Sequence, residues 1–349
     1  MRYTRLAHVL ALCVGLLAMA ASAQEIEDHK SYPGTGDRTL RIISTADLEV
    51  FEPYILAFQE DRPDLTVDYT VASSIELYRA IRGGGVYDLA LSSAMDLQLQ
   101  LANDGFARSY RSTQTDALPE WARWRDLIFA FTAESAVVIL SVDSLQGAPL
   151  PLTRQELILL LREHPERFLG KVGTYDLRES GLGYLFATQE ARSTDAYWRL
   201  SEVMGRLDPL LYCCSGQMVD DVISGRLVLA YNVLGSYAAE RLAGETGGKV
   251  QIVRMQDFAN VMLRTAIIPA TAQEVEAAGA LIDGLLELGL RDDPGDWPLP
   301  PLRQTGEVSS AGFGPIRLGP ALMIYLDPLN RRAFLDEWEN AMEQDTDPR

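Results

Sequence analysis

The residues best suited to chemistry in this chain are hydroxyls in pairs. Ser44-Thr45, Ser73-Ser74 and Ser92-Ser93 each follow a short apolar run, at the point where a strand would hand over to a helix. A hydroxyl there can cap the helix by accepting from its first N–H groups, and the same hydroxyls and N–H groups can donate to an oxygen-rich ligand. One cap per helix needs one hydroxyl. Three pairs exceed that need, so the set reads as a binding surface, although any single member also reads as a cap. Thr174-Tyr175-Asp176, with Arg178 and then Ser180-Gly181-Leu182-Gly183, has the same character further along. Arg178 and Arg264 are the candidate charge partners for an anion; each also fits an ordinary structural ion pair. Asp47 and Asp96 read first as residues that cap or orient a loop. Asp176 and Asp221 would suit a metal, but among 49 acidic residues they carry little weight, and no metal site is assigned. Tyr231 either flanks a ligand or packs in a hinge.

Covalent and metal catalysis find few candidates. The 3 histidines, His8, His29 and His164, lie far apart, with no His-x₃-His or His-Glu-x-x-His pair, which removes zinc hydrolase chemistry on ligand count. No Gly-x-Ser-x-Gly elbow or P-loop is present, and Gly181-x-Gly183 lacks the third glycine of a dinucleotide fingerprint. No catalytic residue and no cofactor is therefore assigned. Cys213 and Cys214 are adjacent; they form either a vicinal disulfide or two free thiols, and a Cys-x-x-Cys redox motif is absent.

The elements that must position these residues alternate. Leu40–Ile43 reads as a strand, and Leu48, Phe51, Tyr54, Ile55 and Phe58 follow at helical spacing. Leu65–Thr70 is a second strand, and Ser73 with Glu76 fits a capping box for a helix over Ile75–Arg82. Asp88–Leu91 is a third strand, before a helix over Asp96–Asn103. This β-α rhythm predicts a mostly parallel sheet with helices on both faces, and ligands then sit at the carboxyl ends of the strands. Residues 107–127 read as irregular, and Glu134–Val142 as a β-branched strand able to cross between lobes. A second capping box, Thr153 with Glu156, opens a helix to Arg162. A second β/α series runs from Lys171 to Tyr231, followed by strands over Val250–Val253 and Met262–Ile268. A helix spans Glu274–Glu287, a Pro/Gly-rich loop 291–316 and a last helix Arg331–Met342.

The 349 residues suggest two domains, and 47% hydrophobic with 23% charged residues excludes a disordered chain. A net charge of −18 repels phosphate backbones, so no nucleic acid is expected as partner. Arg2 and Arg5, the apolar run His8–Met19 and Ala21-Ser22-Ala23 read as a secretory signal cleaved before Gln24. The run is too short for a spanning helix, and Leu12 before Cys13 argues against a lipoprotein. The expectation is a soluble monomer in a bacterial periplasm, with residues 24–37 a mobile opening segment.

Ile42–Phe58, Pro63–Tyr69 and Asp88–Asp96 together resemble the start of periplasmic solute-binding proteins of ABC importers, the ferric-iron-type (type II) branch above all. Val172–Gly183 resembles the binding loop of the second lobe, and Met218–Ile223 through Tyr231-Asn232 the helix and hinge strand before the second crossover. The resemblance implies two α/β lobes, each a mostly parallel sheet flanked by helices, joined by crossover strands. Lobe one would be 38–136 and 265–349, and lobe two 137–264. It implies a ligand in the cleft between them, held by Ser44, Thr45, Ala46, Ser73, Ser74, Ser92, Ser93, Thr174, Tyr175, Arg178, Ser180, Gly181, Tyr231 and Asn232. The implied function is capture of a small anionic solute for an ABC permease; the alternative is a sensory protein that reports to a membrane histidine kinase. Iron-binding members carry adjacent tyrosines just after the hinge Asn. This chain reads Asn232-Val233-Leu234-Gly235-Ser236-Tyr237 there, so bare ferric iron is not the expected ligand.

Overall fold

The computed structural model describes residues 26–243, 248–291, 295, 297–302 and 314–344. The signal peptide read over 1–23 and much of the loop read over 291–316 lie outside the described residues.

The strands are β1 (Asp28–Tyr32), β2 (Arg38–Ser44), β3 (Leu65–Val71), β4 (Leu89–Ser92), β5 (Ala107–Arg108), β6 (Arg123–Trp124), β7 (Ile128–Ser141), β8 (Val172–Tyr175), β9 (Leu210–Tyr212), β10 (Leu229–Leu234), β11 (Val250–Val253) and β12 (Val261–Pro269). The longer helices are α1 (Leu48–Asp61), α2 (Ser74–Arg82), α3 (Met95–Asn103), α4 (Arg154–Glu163), α5 (Gly181–Ser193), α6 (Ala196–Gly205), α7 (Ser215–Ile223), α8 (Gly235–Leu242), α9 (Val275–Leu290) and α10 (Pro328–Met342). The strands join in the order β1-β3-β2-β4-β12-β7-β10-β8-β9, with β11 and β6 beside β7 and β5 beside β12.

Two lobes share this sheet. In lobe one β2 runs parallel to β3 and β4; in lobe two β8 runs parallel to β9 and β10. Every residue of β4, β8, β10 and β12 is buried, as strands covered on both faces must be, and most of their residues are apolar, with Arg264-Thr265 and Asn232 among the polar exceptions. The crossover is β7. Its residues up to Ser135 pair antiparallel with β12, and from Ala136 onward it pairs with β10 and β11. The strand read over Glu134–Val142 is thus the distal half of a longer element.

Local signals explain most helix starts. Thr153 and Glu156 form the full reciprocal capping box. Ser73 accepts from the Glu76 N–H at 3.2 Å, but the Glu76 carboxylate turns to Arg79, so only half of that box forms. Two expectations need correction. The opening segment read as mobile contains β1, which pairs antiparallel with β3 from Asp28 to Tyr32. The C-terminal part of 265–349, read as lobe one, divides: the 3-10 turn Pro320–Leu326 packs on α3 of lobe one, whereas α10 packs on α6 of lobe two. Phe334 meets the rings of Tyr197 and Trp198 there, and a Cβ at Gly205 would overlap the carbonyl oxygen of Ala341. The glycine is what lets the two helices approach so closely.

Candidate functional site

A cavity of about 810 Å³ opens between the lobes. Lobe one contributes Thr45, Asp47, Ser73, Ser74, Glu76, Arg79 and Ser93, with Glu27 ahead of β1. Lobe two contributes Tyr175, Arg178, Glu179, Ser180, Cys213–Gln217, Asp220, Tyr237 and Arg241. The strands deliver these residues because β2, β3, β4, β8 and β9 all end at the cleft, each handing over to a loop or a helix start.

Three helix starts lie on the walls. Ser73 caps α2. Ser180 caps α5, accepting from Gly183 N–H at 3.1 Å. α7 has no side-chain cap, and its first-turn residues Ser215, Gly216 and Gln217 line the cavity. First-turn N–H groups have no intrahelical acceptor and carry the positive end of the helix dipole. Thr45 and Ser93 bond to each other, Oγ1 to Oγ at 3.3 Å and Ser93 N–H to Thr45 Oγ1 at 3.1 Å.

The lobes touch across this cleft. Gly181 N–H donates to Ser74 Oγ at 3.1 Å. A Cβ on Gly181 would lie 2.7 Å from that oxygen and 2.8 Å from Leu97 Cδ1, so the contact requires a glycine. Arg241 reaches Asp47 at 3.1 Å and also pairs with Asp220. Tyr237 donates to Asp47 Oδ1 at 3.3 Å and accepts from the Asp47 N–H at 3.2 Å. Asp47, read as a residue that caps or orients a loop, makes no side-chain cap on α1; its side chain meets Tyr237 and Arg241 of the other lobe. Burial pushes the Tyr237 and Tyr175 hydroxyls up, so both are neutral hydrogen-bonding groups rather than phenolates.

Seven of the fourteen residues read as ligand-binding line the cavity: Thr45, Ser73, Ser74, Ser93, Tyr175, Arg178 and Ser180. The others have different work. Ser44 and Ser92 are buried and accept from Ala46 and Ala94 N–H, closing tight turns at the strand ends. Ala46 is fully buried, its carbonyl accepting from Tyr69. Gly181 gives its N–H to Ser74. Thr174, Tyr231 and Asn232 border a separate inner pocket under Trp338 and Met342. Tyr231 donates to Glu190 at 2.9 Å inside lobe two. Asn232 stands at a positive φ of 63°, where β10 shifts register against β7; Asn tolerates that conformation better than most residues.

Neither candidate arginine is free to meet an anion alone. Arg264 is fully buried against Glu134 at 3.0 Å and reaches only the back of the cavity, at Thr45 Oγ1, 3.4 Å away. Arg178 lines the cavity, but its guanidinium pairs with Asp176 at 2.7 Å and with Glu343 of the C-terminal segment at 2.7 Å, while its plane lies over Trp338. Its hydrogen bond to Asp176 raises its already high pKa further. Sequence reasoning missed Glu27, Glu179, Asp220, Tyr237 and Arg241. Nothing in the local pattern marks them, because each reaches the cleft only through the folding of distant segments. Cys213 and Cys214, left open above, are joined as a disulfide on the cavity wall.

Two α/β lobes that share crossover strands and enclose a polar cleft define the type II periplasmic binding protein fold. No family model matches the sequence, and no curated protein does. Solved structures do match. The substrate-binding protein of an ABC transporter from Agrobacterium tumefaciens is 29% identical, with a TM-score of 0.83 over 90% of this chain and 98% of that one. The periplasmic binding protein AfuA from Actinobacillus pleuropneumoniae, with fructose-6-phosphate bound, is 15% identical, with a TM-score of 0.67 over 89% and 100%. Iron-bound HitA from Pseudomonas aeruginosa is 14% identical, with a TM-score of 0.63 over 87% and 99%. The structural neighbours are thus periplasmic substrate-binding proteins of ABC transporters, ferric-binding proteins among them, and are binding proteins rather than enzymes. Among the described residues, no helix is long and apolar enough to cross a membrane.

Proposed function

We propose that this chain is a periplasmic solute-binding protein that captures a small anionic solute in the inter-lobe cleft and delivers it to an ABC permease. The observation that carries the reading is the cavity wall: hydroxyls and three helix starts, drawn from both lobes, around one space of about 810 Å³. Helix starts and hydroxyls hold oxygen anions without a dedicated cation. That matters here, because the cleft arginines Arg79, Arg178 and Arg241 are each already paired with a carboxylate. Arg241 is the cation a solute would draw from Asp47. The substrate-binding neighbours support the solute-binding role, and AfuA, with fructose-6-phosphate bound, supports an anion as the ligand. The sensory alternative has no observation of its own.

Native mass spectrometry of protein purified from its own periplasm, followed by a thermal-shift panel of organic acids and phosphate esters, tests the reading. A bound anion should raise the melting temperature with concentration by mass action. A panel in which only neutral or cationic compounds stabilise the protein refutes the anion. Turnover of the bound compound refutes the binding role.

A further inference from the structure

The disulfide on the cavity wall stands beside a third metal-binding group. Cys213 Sγ, Cys214 Sγ and a Glu27 carboxylate oxygen all lie within 4.8 Å of one another, and the Glu27 Oε1 to Cys214 Sγ distance is 3.7 Å. Glu27 comes from the segment ahead of β1 and the cysteines from the β9–α7 loop, so the cluster joins distant parts of the chain across one edge of the cleft. Gln217, on the first turn of α7, brings its Oε1 to 3.9 Å from Cys213 Sγ. Both cysteines are half-buried on a wall that solvent reaches through the cavity. Cys214 occupies the N-cap position of α7, where the unpaired N–H groups favour negative charge on sulfur.

We infer that Cys213, Cys214 and Glu27 form a reduction-gated site for a soft divalent metal ion on the wall of the solute cleft. While the sulfurs are bonded to each other they offer no thiolate, and the site is shut. A dithiol reductant opens it: the reductant closes to its own disulfide and passes two electrons and two protons to the S–S bond, leaving two thiols. A soft divalent ion then displaces the two thiol protons and takes two sulfur ligands and one carboxylate oxygen. Two thiolates select a soft ion over calcium or magnesium, and three protein ligands leave a fourth position open towards the cavity. Occupancy would put a metal ion with an open coordination position beside the start of α7, while the two thiolates and the Glu27 carboxylate keep the net charge of the site where the disulfide had it. The redox state of one bond thereby sets which chemistry that wall presents. The inference does not depend on the identity of the solute, so the two readings can fail separately.

Cd²⁺ is the probe, because cadmium thiolates give an ultraviolet charge-transfer band. The full chain is reduced with dithiothreitol, freed of reductant under nitrogen, and compared with untreated protein. The expected result is one Cd²⁺ per reduced chain by native mass spectrometry, with the sulfur-to-metal band, and neither in the untreated protein. Joint substitution Cys213→Ser and Cys214→Ser should abolish the band in protein that keeps its circular dichroism. Glu27→Gln should keep the band and weaken binding by about tenfold or more, since even groups one step removed from a metal are worth that much. Equal binding by untreated protein, no band after reduction, or a band that survives the double substitution overturns the proposal. If the double variant fails to fold, the reduced and untreated natural chains decide it alone.

Discussion

Two ion pairs join the shared strands and the cleft, and they differ in their surroundings. Arg264 of β12 pairs diagonally with Glu134 of β7, both with side chains at 0% exposure. Glu134 is satisfied further by Thr132 and by Ser236. Arg241 and Asp47 meet across the cleft, with side chains 26% and 35% exposed. The first pair has no solvent to fall back on, so breaking it strands a charge in the interior. The second can exchange each partner for water or for a solute at little cost. A binding protein of this fold needs both kinds of tie: a crossover that does not yield, and a lip that does.

The largest effect should come from breaking the buried pair. Glu134→Ala leaves the Arg264 guanidinium unpaired and should destabilise the fold by about 3–5 kcal/mol, read by urea denaturation. A loss below 1 kcal/mol would mean that water enters the crossover, and the contrast between the two pairs would disappear.

Asp96 extends the comparison to a buried carboxyl with no such ion-pair partner. It lies in the first turn of α3 with its Oδ1 unpaired. Burial pushes its carboxyl up from the ordinary 3.8 to about 7, against the smaller opposing pull of the Leu97 N–H and of Arg331. Tyr184 of α5 faces the same group. The native state therefore holds a proton that the unfolded chain gives up near pH 4. The sign follows from linkage: this group's contribution is full below about pH 4, falls as the pH rises, and is lost above about pH 7. Asp96→Asn should remove that slope and stabilise the protein by about 2–4 kcal/mol at pH 8. An unchanged slope of stability between pH 4 and 7 would show that Asp96 stays ionised in the fold.

A third tie is apolar. Gly205→Ala sets a methyl group against the Ala341 carbonyl and should cost about 1–3 kcal/mol as α10 shifts on α6. Hydrogen exchange should show the loss confined to residues 328–342. A loss spread evenly over both lobes would mean that α10 is not a separable clamp.

What the sequence made legible follows the same division between local and distant contacts. The β-α rhythm of residues 40–103 is carried by short apolar runs and by caps such as Ser73 and Thr153, and both are local signals. Four of the six paired hydroxyls, Thr45, Ser73, Ser74 and Ser93, reached the cleft for the same reason: a residue just past a buried strand must come out at its carboxyl end. Ser44 and Ser92 did not, because each is one residue too early and turns inward to close its own loop. Arg178 was legible as a cation near the site but not as one held by Glu343, a residue of the C-terminal segment. Glu27 and Arg241 carried no signal at all. β1 was hidden by its composition, since four of its five residues are exposed on a sheet edge and give no apolar alternation. The packing of α10 on lobe two was hidden because it is fixed by Gly205 and by ring contacts across more than a hundred residues.

The smallest energetic effect should accompany the largest change of shape. Arg241→Ala removes the bridge to Asp47 and Asp220, and being partly exposed it should alter stability by no more than about 1 kcal/mol. Its companion contacts are the two hydrogen bonds between Tyr237 and Asp47 and the single one from Gly181 N–H to Ser74. Adding Ser74→Ala leaves Gly181 N–H without its acceptor, while Tyr237 on Asp47 and Glu27 on Cys214 remain as polar contacts across the cleft. The double variant should therefore populate an open form, seen in solution scattering as a larger radius of gyration, while its denaturation midpoint stays near that of the natural chain. The buried crossover predicts the opposite signature, a large loss of stability with no opening short of unfolding. If the double variant scatters like the natural chain, the cleft is held shut by packing rather than by these polar contacts, and the exposed pair is not the element that yields.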